Sequence, residues 1–185
     1  LYQRLQGMPG VAARCLRFAM LTAARTSEAL LAAWPEFDLD AGVWTVPAAR
    51  TKAKEEHVVH LCPAAVDILK AQAGQDAALV FPSVQPGRRG RPMSNMAMLA
   101  VLGRMGVRDK STVHGLCRAT FSSWANETAA ARPDVIEACL AHEEGNLVRA
   151  AYNRADYASE RRALLEKWAA YLAQPAATVV PLRAA

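Results

Sequence analysis

Apolar residues recur at three- and four-residue intervals between 11 and 24, at Val11, Cys15, Leu16, Phe18, Ala19 and Leu21. That spacing predicts a helix with one buried face. Thr26 or Ser27, followed by Glu28, supplies an N-cap for a second helix running to about Ala33, with Arg25 at the joint. The rhythm then changes. Val43-Trp44-Thr45-Val46 and His57-Val58-Val59-His60-Leu61 are short and rich in β-branched residues, as strands are. The polar residues 50–56 between them read as a hairpin turn or a short intervening strand. Pro63 suits the first turn of a helix ending near Gln72. A brief apolar run over 78–81 precedes a basic Pro/Gly/Arg loop at 86–92. Helices are expected again over 95–105, 114–126, 133–140 and 156–172. The expected fold is therefore mainly α with a small antiparallel β-sheet (α+β). It forms one domain over 1–174, with an Ala/Val/Pro tail over 175–185 that frays or docks elsewhere.

Composition adds constraints. A chain of 185 residues buries a sufficient core without disulfides or metals. No apolar run approaches the roughly 20 residues of a bilayer span. The start, Leu1-Tyr2-Gln3-Arg4, lacks both a signal peptide's pattern and an initiating Met, so the chain reads as a fragment of something longer. Cys15, Cys62, Cys117 and Cys139 form no CxxC pair, which points to thiols in a reducing cytoplasm. The net charge of +5 suits a polyanionic partner. Of the 22 basic residues 17 are Arg, the better residue for gripping phosphate with two donors, although a GC-rich genome gives the same bias.

Four strings carry chemistry. They are Ala23-Ala24-Arg25-Thr26-Ser27-Glu28-Ala29-Leu30, Thr51-Lys52-Ala53-Lys54-Glu55-Glu56-His57, Val113-His114-Gly115-Leu116-Cys117-Arg118-Ala119-Thr120-Phe121, and Leu140-Ala141-His142-Glu143-Glu144-Gly145-Asn146 with Ala150-Ala151-Tyr152 beyond. In that order they resemble the first-arginine box, the lysine hairpin, the His-Arg box, and the third box with nucleophile of the tyrosine recombinase (phage integrase) family. The resemblance covers roughly 11–172, and 140–172 is most similar to prophage and genomic-island integrases. The His-Arg box departs from the family. Its usual spacing is His-x-x-Arg, whereas His114-Gly-Leu-Cys-Arg118 is one residue longer. Gly115 is the residue able to absorb the insertion.

The resemblance implies a DNA-cleaving enzyme whose roles make physical sense. Opening a phosphodiester spreads negative charge over the non-bridging oxygens, which forked Arg donors stabilise. Arg25 and Arg118 would clamp the phosphate, and His142 would add a hydrogen bond. Lys52 would protonate the leaving 5′-oxygen, His114 would assist proton transfer, and Tyr152 would attack. Neither cofactor nor metal is implied. The partner is double-stranded DNA, held by a homo-tetramer in the full-length protein and bound weakly by this fragment, itself possible as a monomer. The family's N-terminal DNA-binding domains are missing from this chain. The helix at 156–172 and the tail are candidates for contact with a neighbouring protomer. Bacterial cytoplasm, at the nucleoid, is the implied location.

Each residue also has a plain reading. Arg25 pairs with Glu28 or caps a helix. Lys52 and Lys54 are solvated turn charges. His57 and His60 are partly buried core histidines. His142 is a cation at a helix C-terminus. Tyr157 competes with Tyr152 as nucleophile, whereas Tyr171 falls on a core-like stripe with Leu164, Leu165 and Trp168. The rival functions are a type IB topoisomerase-like relaxing activity and a basic module that holds DNA without cutting it.

Overall fold

The computed structural model describes residues 1–142 and 156–175. Its helices are α1 (Tyr2–Gln6), α2 (Val11–Thr22), α3 (Thr26–Leu30), α4 (Pro63–Gln72), α5 (Met96–Arg104), α6 (Thr120–Glu127), α7 (Pro133–Cys139) and α8 (Ala158–Ala173). Strands β1 (Phe37–Asp38), β2 (Val43–Val46) and β3 (His57–His60) form one antiparallel sheet in the order β1-β2-β3. The expected α+β class is the observed one. The two strands read from the sequence pair as Val43 with His60 through Val46 with His57. The two-residue β1 carried no readable pattern of its own.

Helix α2 is the centre of the molecule, packed against α1, α3, α4, α5 and α8. Nearly every α2 side chain on the predicted face is buried, including Cys15, Leu16, Phe18 and Leu21. Phe18 joins helix to sheet, touching Phe37, Trp44 and Phe81 with ring centroids 5.2–6.0 Å apart. The apolar run at 78–81 pairs with the segment after α3 through an Ala33–Leu79 bridge and buries Val80 and Phe81.

Two boundaries differ from expectation. Helix α3 ends at Leu30, not near Ala33, and its N-cap is Arg25, not Thr26 or Ser27. Glu28 explains the shift, because its carboxylate accepts the Arg25 backbone N–H at 2.8 Å and so satisfies a free donor of the first turn. Residues 47–56 contain a 3₁₀ turn (Ala48–Arg50) and bends, so the connection is a turn and not a strand.

Helix α8 spends its apolar face on its own chain. Leu164, Leu165 and Trp168 are buried, and the Trp168 indole N–H donates to the Met20 carbonyl at 2.7 Å. Trp168 also lies against Phe121, Trp124 and Tyr171. Tyr171 is 44 % exposed, so it stacks on this cluster from outside and is not core. The tail beyond residue 175 lies outside the described residues. Among the described residues no helix is long and apolar enough to cross a membrane.

Trp168→Ala should cost about 3–5 kcal/mol, through lost burial and the lost indole hydrogen bond to the Met20 carbonyl. Urea unfolding with matched slopes measures it.

Candidate active site

Two helix C-termini aim at one guanidinium. Helix α2 ends through Ala23 in the left-handed conformation (φ 50°), with the Ala24 N–H donating to Ala19 O and the Ala23 N–H to Met20 O. Helix α7 ends the same way through Ala141 (φ 47°), with the His142 N–H donating to Glu137 O and the Ala141 N–H to Ala138 O. Both are Schellman endings, which turn the chain sharply and leave late carbonyls pointing outward. Arg118 takes them up. One terminal nitrogen donates to Ala23 O at 2.8 Å, and the other donates to Leu140 O at 2.6 Å. These carbonyls sit at the negative ends of their helix dipoles, which suits a buried cation.

The sequence-predicted residues Arg25, Arg118 and His142 come together here. Arg118 Nη2 lies 3.0 Å from His142 Nε2. Arg25 donates from Nη2 to Ala141 O at 3.1 Å, and from Nη1 to Glu28 at 2.8 Å. The expected Arg25–Glu28 pair therefore exists, and it orients Arg25 toward the same helix end that Arg118 grips. Burial, and next the charge of Arg25, push the Arg118 pKa down to about 10. The guanidinium is still charged at neutral pH. Two neighbouring cations on a partly desolvated floor favour an anionic ligand.

Residues Gly115–Ala119 form a π-turn between the first helical residues and α6. The Thr120 backbone N–H and hydroxyl both reach Gly115 O, the hydroxyl at 2.9 Å. A π-turn holds one residue more than an α-turn, and it falls on the same His114–Arg118 stretch whose spacing is one residue longer than His-x-x-Arg. Arg118 is 4 % exposed. His114 is exposed and, among the described residues, makes no hydrogen bond to Arg118 or His142.

Lys52 and Lys54 are both exposed on the β2–β3 turn, Lys54 with φ 56°. No hydrogen bond or ion pair holds Lys52 among the described residues. The turn's base is fixed nonetheless. Thr51 Oγ1 donates to Ala48 O or Glu55 O, at 3.1 and 2.7 Å. Arg50 binds the Glu28 carbonyl at 3.2 Å and pairs with Glu36. Tyr152 lies outside the described residues. Tyr157, its competitor, precedes α8 in the left-handed conformation with the Arg132 guanidinium 5.2 Å from its ring centre.

Comparison with known proteins now decides the family. The sequence model of the phage integrase family matches residues 4–159. The chain belongs to the phage integrase family. Prophage integrase IntA of Escherichia coli (strain K12) is 40% identical over 160 residues, covering 84% of this chain and 38% of that protein. Prophage integrase IntZ of the same organism is 39% identical over 155 residues, covering 83% and 38%. The integrase of Enterobacteria phage P4 is 34% identical over 173 residues, covering 85% and 39%. This integrase-family chain thus spans about two fifths of the length of these relatives. No solved structure is a significant match.

Two neighbours of this site, Glu137 and Arg161, escaped the sequence reading, and a third, His57, was read only as core. Glu137 contacts His142 because the Schellman ending folds the chain back by one turn, a signal hidden in a left-handed Ala. Arg161 on α8 binds the Val58 carbonyl and ties that helix to β3. His57, expected as a partly buried core histidine, is one, yet it also faces the site. Burial, then the charge of Arg161, depress its pKa to about 4, while Glu28 and a Cys139 backbone hydrogen bond oppose this. The folded state thus binds fewer protons than the unfolded state between about pH 6.5 and 4, so His57 costs stability as pH falls through that window. Stability above pH 6.5 is untouched by it. His57→Asn should narrow the loss of urea midpoint between about pH 7.5 and 4.5 relative to wild type.

Proposed function

We propose that this chain is the catalytic part of a tyrosine-type site-specific DNA recombinase, which cuts and rejoins duplex DNA through a 3′-phosphotyrosyl link at Tyr152 during integration and excision of a mobile element. The observation that carries this reading is the convergence of Arg25, Arg118 and His142, separated by up to 117 positions of sequence, around the carbonyls of 140 and 141. Membership of a family whose similar proteins are named integrases agrees with it.

In this reading the scissile phosphate sits against the free donors of Arg118 and Arg25. Arg118 has five N–H groups, and its protein partners among the described residues engage three, leaving two for a ligand. His142 donates to a non-bridging oxygen. The Tyr152 oxygen forms a bond to phosphorus as the bond to the 5′-oxygen breaks. The tyrosyl proton passes toward His114, and Lys52 gives a proton to the leaving 5′-oxygen. The adduct keeps the phosphoester bond energy, so a 5′-hydroxyl from a partner strand reverses the step. Lys52, exposed and unpaired among the described residues on a turn with a fixed base, suits a group that swings onto the phosphate after DNA binds. The full protein works as a tetramer on paired sites, in the bacterial cytoplasm at the nucleoid, and this chain binds DNA mainly through phosphates with steep salt dependence.

A duplex nicked beside the cleavage position traps the adduct. The chain should then migrate as a DNA-linked species on a denaturing gel, and Tyr152→Phe should remove that band. Loss of the band in Tyr157→Phe with persistence in Tyr152→Phe would move the nucleophile. Bound DNA with no adduct in any condition would leave a binding module, and plasmid relaxation without recombinant product a topoisomerase.

The acid is tested separately. Lys52→Ala should slow cleavage by about 10²–10⁴-fold and regain it on a 5′-phosphorothiolate, whose leaving group needs no proton. Arg25→Lys, which loses the fork, should slow it by about 10²–10³-fold with no such rescue.

A further inference from the structure

His142 Nδ1 lies 2.5 Å from Glu137 Oε2, while His142 Nε2 lies 3.0 Å from Arg118 Nη2. A guanidinium only donates, so Nε2 must present its lone pair, and the ring proton must sit on Nδ1, where the Glu137 carboxylate accepts it. Turning the ring over would set carbon atoms against both partners. Glu137 and His142 meet because of the Schellman ending, which places the residue after the left-handed Ala141 beside the first residue of the turn it closes.

We propose that Glu137 is a positioning residue of the recombination site: its carboxylate fixes the His142 tautomer and later supplies the counter-charge for an imidazolium. The inference rests on the reading of His142 as a phosphate-binding group. For Nε2 to donate to a phosphate oxygen while Nδ1 stays bound to Glu137, both nitrogens must carry protons. The phosphodiester is an anion with no proton to give, so solvent supplies one. Arg118 Nη2 turns its N–H from Nε2 to the phosphate, Nε2 takes up the solvent proton, and the new positive charge lies between Glu137 and the phosphate. The charged groups facing this ring among the described residues are Glu137 on α7 and Arg118 in the π-turn. Arg25 stands one carbonyl away with Glu28 behind it, and His57 reaches the α7 end from β3. The pair is half exposed, with side chains 45 % and 49 % accessible, so water competes with it until DNA covers the site.

Glu137→Gln keeps an acceptor for Nδ1–H but removes the charge, whereas Glu137→Ala removes both. Nitrogen-15 NMR of the free chain reads the tautomer without any cleavage. Wild type and Glu137→Gln should show the neutral ring with Nε2 unprotonated, and Glu137→Ala should shift the neutral ring toward the Nε2–H form. With the nicked duplex, Glu137→Ala should slow adduct formation about 10- to 100-fold. Glu137→Gln should slow it less and move its pH optimum downward, because the imidazolium has lost its counter-charge. A tautomer balance in Glu137→Ala identical to that of wild type, with Arg118 alone holding the Nε2 lone pair, would overturn the proposal. So would equal rates and pH profiles in all three proteins, or equal loss in both variants with an unmoved pH profile. If wild type forms no adduct at all while the NMR pattern holds, the recombinase reading fails and the tautomer assignment stands.

Discussion

The burial of Arg118 organises this molecule. A guanidinium at 4 % exposure is costly unless its donors are met and its charge is compensated. The fold meets that cost with the outward carbonyls of two helix ends, α2 and α7, which are 117 positions apart at Ala23 and Leu140. Each end is shaped by an alanine in the left-handed conformation, at a local cost that the carbonyl–guanidinium bonds offset. Remove the cation and two helix termini lose their reason to meet.

Everything else in the site is placed relative to that junction. Arg25 follows the turn after α2 and caps α3 while reaching the α7 end. His142 follows the turn after α7 and so faces Arg118. The β2–β3 turn is tied to the same place through Arg50 on the Glu28 carbonyl, so a solvated lysine is carried on an anchored base. Glu28 answers Arg25 and Glu36 answers Arg50, whereas Arg118 is held by neutral carbonyls and keeps unused donors. Depression of the Arg118 pKa by burial and by Arg25 expresses that uncompensated charge. An anionic ligand would relieve it.

The π-turn coincides with the spacing change. An inserted residue in an α-helix rotates everything after it by about 100° unless the extra residue is confined locally. The π-turn lies at Gly115–Ala119, and after it Phe121 and Ala125 keep their buried face on α6 while Arg118 keeps its grip on the two helix ends.

The hydrophobic rhythm determined α2, Pro63 the start of α4, and β-branched runs the β2–β3 pair, because spacing, a fixed φ and side-chain shape each act within a local segment. Motif order also singled out Arg25, Arg118 and His142, since residue types suited to phosphate are few and their strings are recognisable. The two-residue β1 and the short α3 had too little sequence to carry a period. Their limits were decided by partners, β2 for one and the Glu28 cap for the other. Only the tertiary structure could decide that the three residues share one floor, that Glu137 stands behind His142, and that Arg118 is buried. Those facts depend on left-handed alanines and on carbonyls of remote helices. Neither a backbone dihedral nor a long-range acceptor is written in the identity of any single residue.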